Sequence, residues 1–133
     1  MKSCWIKTEN ERTTLEFREI PVPQPKPGEL VVRVHATSLN RGELIVGSVM
    51  HGGPLKLGGT EASGVVHAVG EGVTAVKPGD RVMGRARGGF AEYALMDMHE
   101  AMPIPARLTW EQAAASSATF LAAYDALFPY GQL

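Results

Sequence analysis

The segment Ser38-Leu39-Asn40-Arg41-Gly42-Glu43-Leu44 brings an amide, a guanidinium and a carboxylate into one turn of chain. A neutral amide such as Asn40 both donates and accepts, so it can hold a polar ligand without fixing a charge beside it. Glu43, one turn on, shares a face with Asn40 if a helix forms there. It can orient the amide or relay a proton from water. Arg41 can reach a phosphate. Each also has a plainer role. Asn40 is a good N-cap for a short helix over residues 41–46, a first-turn carboxylate such as Glu43 is commonly solvated, and Arg41 fits an open surface.

Metal chemistry is poorly supplied. A catalytic zinc needs about three N, S or O ligands and an open position. His51 and His67 can be grouped with Glu61, but their spacing matches no metal motif, and His35, Lys56 and His99 have no company. Cys4 is the one cysteine, which excludes an internal disulfide framework and a Cys-rich zinc site. With no histidine near it in sequence it reads as a packing residue. Glu61, Asp80 and Arg81 read as structural. Asp80 can accept backbone hydrogen bonds after Pro78-Gly79, and Arg81 can pair with Glu61 or Glu92.

The chain has 133 residues, enough for one domain with a single core, and a formal net charge of −1. That balance gives no electrostatic case for nucleic acid or an anionic membrane. No apolar run approaches a membrane span and no leader-like segment opens the chain, so a cytoplasmic location is expected. With 15 Gly and 9 Pro it suits a turn-dense β domain rather than a helical bundle.

The elements that must carry these residues can be read from pattern. Strands are expected over 3–8 and 14–20, turning near Asn10. The proline-rich run 21–28 lacks ladder donors and should lie extended on the surface. Residues 30–37 alternate, with Leu30, Val32, Val34 and Ala36 inward and Val31 needing some cover of its own. Gly52-Gly53-Pro54 and Gly58-Gly59 mark a loop. Further strands are expected over 64–70, 80–85, 90–96 and 100–104. Thr109-x-x-Gln112 is a capping-box pattern opening an Ala-rich helix, broken near Ser116-Ser117 and ended by Pro129 and Gly131. Trp5, Phe17, Phe90 and Tyr93 read as core or interface residues. Trp110, Leu121, Tyr124 and Leu127 read as packing residues of the last helix.

Five segments, in order, carry a resemblance. They are Pro27-Gly28-Glu29-Leu30-Val31-Val32-Arg33-Val34, the segment from Ser38 to Leu44, the stretch GGTEASGVVHAVGEGVTAVKPGDRVMG at 58–84, Gly88-Gly89-Phe90-Ala91-Glu92-Tyr93, and Leu108-Thr109-Trp110-Glu111-Gln112 with the alanines after it. Together they resemble the N-terminal, GroES-like domain of the medium-chain dehydrogenase/reductase superfamily, closest to its zinc-independent quinone oxidoreductase branch. The resemblance implies a mainly β fold with short helices, an irregular barrel over 1–107, and a helical segment 108–133 leading toward a nucleotide-binding Rossmann domain. The glycine-rich fingerprint of that domain does not occur here, since Gly70-Glu71-Gly72 runs into Val73-Thr74-Ala75. The chain is therefore expected to be the substrate-side part of a two-domain reductase and incompetent alone.

The resemblance also implies hydride transfer from NADPH or NADH to a small-molecule quinone or activated alkene. It places Asn40 near the nicotinamide and ribose as a catalytic and cofactor-binding residue, Glu43 as a second catalytic residue, and Arg41 and Ala122 against the cofactor. A parent homodimer is possible in this family. In zinc-dependent relatives a Cys stands where Asn40 stands and a His where Thr60 stands, so no zinc is expected. The structural cysteine lobe is also missing, as residues 84–89 pass directly into the next strand. Two departures remove hydroxyls from the expected pocket: Ile45 stands where a Tyr is common, and Ala122, before Ala123-Tyr124, where a Thr is common. An enoyl reductase domain of a larger synthase is an alternative, and so is a free-standing, non-enzymatic β module that binds a protein partner.

Overall fold

The computed structural model describes residues 1–9, 12–44 and 55–133. In chain order the elements are β1 (Lys2–Glu9), β2 (Arg12–Glu19), β3 (Glu29–Thr37), a 3₁₀ turn (Arg41–Leu44), β4 (Leu55–Leu57), β5 (Glu61–Val69), β6 (Arg81–Arg85), β7 (Tyr93–Asp97), β8 (Met102–Pro103), α1 (Trp110–Ser116), α2 (Thr119–Asp125) and a π-helical turn (Ala126–Tyr130). The mainly β architecture with short helices is as the sequence implied. Asn10, Ile45, His51 and the Gly52-Gly53-Pro54 loop lie outside the described residues, as does the end of the helix expected over 41–46.

The strands form two antiparallel sheets, β2-β1-β4 and β7-β3-β5-β6-β8. The Ser3–Ala91 bridge and the hydrogen bonds Cys4 N–H to Phe90 O and Gly58 N–H to Cys4 O tie them together. No closed barrel forms among the described residues. The prolines between β2 and β3 withhold the ladder donors that would extend either sheet. One strand was not anticipated: Leu55–Leu57 pairs with the outer edge of β1, Trp5 opposite Leu57. Its three residues, flanked by Gly and Pro, read as loop, yet the edge of β1 offers them partners.

The core lies on the five-stranded sheet, where Leu30, Val32, Ala62, Val66, Val82, Ala94 and Met96 pack together. β3 alternates as expected, and Val31 is buried as well, covered on the opposite face. Phe17 departs from its expected core or interface role, being 79% exposed. β2 is an edge strand with no described strand on its outer side. Trp5 is half-buried instead, with the Arg18 guanidinium 4.8 Å from its ring centre.

At the C-terminal end the capping box at Thr109 is complete. α1 ends and α2 begins anew at Thr119, so the expected break is present. Leu121, Tyr124 and Leu127 were expected to pack, but all three are exposed, and α2 buries no residue. Nothing among the described residues covers that helix. No described helix is long and apolar enough to cross a membrane.

Gly59 holds the site loop against the β6–β7 connection. Its φ is +90°, and a Cβ there would lie 2.3 Å from the Phe90 nitrogen, which is backbone and cannot give way. Gly72 also has positive φ, +81°, but a Cβ there meets nothing within 4 Å. Gly59→Ala is expected to cost about 3 kcal/mol or more, combining backbone strain with overpacking. Gly72→Ala should cost only the strain, about 1–2 kcal/mol. Urea denaturation of the two variants beside wild type checks the contrast; equal midpoints for the two would refute it.

Candidate functional site

The site is assembled where β3 ends and β5 begins. Thr37 Oγ1 donates to the Glu61 carbonyl at 2.7 Å, joining the two strand ends. The chain then passes through Ser38 and Leu39 to Asn40, whose carbonyl accepts the Glu43 N–H at 3.0 Å and opens the 3₁₀ turn. Asn40 thus starts the turn through its backbone, while its side chain is spent elsewhere.

That side chain reaches Glu61, which is 1% exposed. Asn40 Nδ2 donates to Glu61 Oε1 at 2.7 Å, and Ser38 Oγ donates to the same oxygen. Oε2 accepts from Ser117 Oγ at 2.7 Å and from the Ala118 N–H at 2.8 Å. Ala118 N–H is available because the helix breaks there, so the break and the carboxylate satisfy each other. Burial pushes the Glu61 carboxyl up, but the hydrogen bonds from Ser38, Ser117, Asn40 and Ala118 outweigh it and hold it below the ordinary carboxylate range. Asn40 Nδ2 also lies 3.4 Å from Thr60 Oγ1 and from Ser38 Oγ.

Glu43 is not the solvated first-turn carboxylate that its position suggested. It is 2% exposed, turned inward toward Gly59, whose N–H donates to Oε2 at 3.4 Å. Its Oε1 has no hydrogen-bond partner among the described residues. Arg41 is exposed at the start of the turn. Ala122 lies one turn beyond Ala118 and is exposed.

A second set of contacts fixes α1, and with it Ser117. Trp110 stacks on His35, ring centres 4.4 Å apart, and the Arg81 guanidinium lies 4.3 Å from the indole centre. Ser63 Oγ donates to Trp110 O at 2.6 Å, and an Arg81 Nη donates to Leu108 O at 3.1 Å. Arg81 therefore serves the helix start rather than pairing with Glu61 or Glu92. Asp80 accepts from the Lys77 N–H at 3.0 Å, as its turn required. Burial pushes the Cys4 thiol up, in keeping with a packing role. His67 meets the Tyr93 ring edge-on. No group of three His, Cys, Asp or Glu is placed to hold a metal among the described residues. Beside the site an open cleft of about 600 Å³ is lined by Glu29, Arg85, Arg87, His99 and Glu100, and it touches the network at Thr60.

Sequence reasoning missed Ser38, Thr60 and Ser117 as site residues and gave Glu61 a bland role. A signal was present. A Glu followed by Ala62-Ser63-Gly64 at the start of a core strand is a carboxylate due for burial, which requires donors. A Ser pair inside an Ala-rich helix marks where donors can be freed.

Residues 26–106 match the alcohol dehydrogenase GroES-like domain family. The chain is 37% identical over 127 residues to the human synaptic vesicle membrane protein VAT-1 homolog, covering 92% of this chain and 32% of that protein. It is 36% identical over 114 residues to human quinone oxidoreductase, covering 82% of this chain and 35% of that protein. Its fold superimposes on the Escherichia coli quinone oxidoreductase complexed with NADPH with a TM-score of 0.83, at 29% identity, covering 96% of this chain and 40% of that one. The chain thus spans about a third of the length of these curated relatives.

Glu61→Gln keeps the shape but presents an amide N–H₂ to groups that are themselves donors. The expected loss at neutral pH is about 2–3 kcal/mol. The sign with pH follows from the lowered carboxyl. The stabilisation is whole above the unfolded-state value and disappears as pH falls through the folded one. Wild type should therefore lose its advantage over the variant on acidification below the ordinary carboxylate range. Denaturation of both proteins across that range measures it; a constant gap between them would count against the ionised network.

Proposed function

The chain belongs to the alcohol dehydrogenase GroES-like domain family, in the quinone oxidoreductase-like branch of the medium-chain dehydrogenase/reductase superfamily, and from this we propose that it is the substrate-side domain of a zinc-independent oxidoreductase. In this reading residues 1–107 form that domain and residues 108–133 lead toward a nucleotide-binding domain. The reaction is reduction of a small-molecule quinone or activated alkene by NADPH, with NADH the other candidate. The parent is cytoplasmic and can pair as a homodimer.

The observation that carries the reading is the buried Glu61 carboxylate holding Asn40 at the rim of the site. Bound there, the nicotinamide would supply the hydride. The chain's own residues orient the reactants and exclude water. Asn40, fixed through its nitrogen, positions a neutral ligand by its carbonyl oxygen. Arg41, exposed beside it, offers charge to a phosphate. Glu43, with one buried oxygen unpartnered among the described residues, holds or relays a proton. Ala122 lies against the cofactor on α2.

The donor set supports chemistry without zinc. Position 40 offers an amide committed to Glu61, position 60 a hydroxyl, and position 61 a carboxylate whose two oxygens already accept four hydrogen bonds. A metal would have to break that network to acquire a ligand.

The test is acceptor-dependent NADPH oxidation by the full-length product of the native gene, with a quinone and an enone in parallel and a chelator added to each. Activity on at least one acceptor, undiminished by the chelator, is expected, and Asn40→Ala should lower kcat/KM by about 10–100-fold. Absence of turnover with both acceptors, or its loss on chelation, would refute the proposal.

A further inference from the structure

The hydrogen bonds at the rim decide which polar valences remain for a ligand. Glu61 Oε1 and Oε2 together receive Asn40 Nδ2, Ser38 Oγ, Ser117 Oγ and Ala118 N–H. An acceptor surrounded in this way fixes the Asn40 amide, because its oxygen cannot face the carboxylate at 2.7 Å. The second Nδ2 hydrogen is directed to Thr60 Oγ1 and Ser38 Oγ, each 3.4 Å away. The amide nitrogen is therefore spent inside the protein, and what Asn40 has left is its Oδ1, an acceptor.

Ser38 has no proton to offer, since its hydroxyl donates to Glu61. Thr60 differs. Its Oγ1 accepts from Asn40, its side chain is exposed, and its O–H has no acceptor among the described residues. Within this hydrogen-bonded network of described residues, the rim thus presents Asn40 Oδ1 as an acceptor and the Thr60 hydroxyl as a donor, joined to each other by the Asn40 nitrogen.

We propose that Thr60 is the specificity-determining donor of the site, hydrogen-bonding the carbonyl oxygen of the hydride acceptor, while Asn40 receives an N–H or O–H of the nicotinamide nucleotide. This rests on the oxidoreductase reading above. The acceptor's electrophilic carbon takes a hydride from the reduced nicotinamide, which is oxidised by two electrons. The conjugated π pair of the acceptor moves onto its carbonyl oxygen, and that oxygen later takes a proton from water. Thr60 keeps its own proton throughout. Its hydrogen bond strengthens as negative charge grows on the oxygen, so its contribution is greatest in the transition state. A neutral hydroxyl donor placed in this way favours ligands that present a carbonyl oxygen to it over those that present only a hydroxyl hydrogen.

Two readouts test this on the full-length gene product. The first is the infrared carbonyl stretch of carbon-13-labelled cyclohexanone bound in the presence of oxidised NADP, where no reductant is present. Wild type and Thr60→Ser should shift the stretch to lower frequency than in an apolar solvent, Thr60→Val should abolish the shift, and Asn40→Ala should leave it in place while weakening nucleotide binding. The second is turnover. Thr60→Val is expected to lower kcat by about 10–100-fold with the KM for NADPH unchanged, and Thr60→Ser to recover most of it. A carbonyl stretch that is unshifted in wild type, or unchanged in Thr60→Val, overturns the assignment. If wild type reduces neither quinone nor enone yet the shift is lost in Thr60→Val, the oxidoreductase reading fails and the donor assignment survives it.

Discussion

One buried carboxylate organises this end of the molecule. A charge withdrawn from water has to be repaid by donors at close range, and Glu61 obtains four of them from distant parts of the chain. Two come from the loop after β3 and two from the junction of α1 with α2. Neither segment can move away without leaving part of the charge unpaired. The site loop and the helical segment are therefore tied to one strand end, although each is short and the apolar face of α2 is uncovered among the described residues. A hydrophobic contact could have held them together, but it would not have selected one rotamer of Asn40 or one place for the helix to break.

The rest of the neighbourhood follows from keeping those donors in range. Ser117 can reach Glu61 only if α1 lies correctly on the five-stranded sheet. That placement rests on the Trp110 indole between His35 and Arg81 and on the Ser63 hydroxyl at its carbonyl. His35 looks like an idle surface residue and Arg81 like a partner for a carboxylate, yet both act through the same ring. The helix break releases the Ala118 N–H, and α2 then departs with its apolar side chains uncovered. The buried polar junction and the bare helix are two results of the same break.

How much of this could be read from residues alone depended on the range of the interaction. Alternation along β3, the proline run, the Pro78-Gly79 turn and the Thr109 capping box are decided within a few positions, and all are present as read. β4 was missed because its strand character comes from the edge of β1, some fifty residues away. Phe17 was misplaced because an edge strand and a covered strand have the same pattern. Glu43 and Glu61 were harder still. Nothing local distinguishes a carboxylate in a solvated first turn from one turned inward to Gly59, and the small residues after Glu61 mark it for burial without saying which donors meet it. The two serines of the network lie 79 residues apart in number, Ser38 and Ser117, and only the fold brings them together.

The two buried carboxylates differ in what surrounds them. Glu61 has every acceptor position in use, so it cannot take a proton from a ligand without losing a donor that the fold requires. Its effect on the rim is through the orientation of Asn40. Glu43 is as deeply buried, but among the described residues its one N–H contact is long and one oxygen has no partner. Of the two acids, Glu43 is the one with an oxygen left unpaired among the described residues, and Glu61 is the one whose lone pairs hold the surrounding frame together.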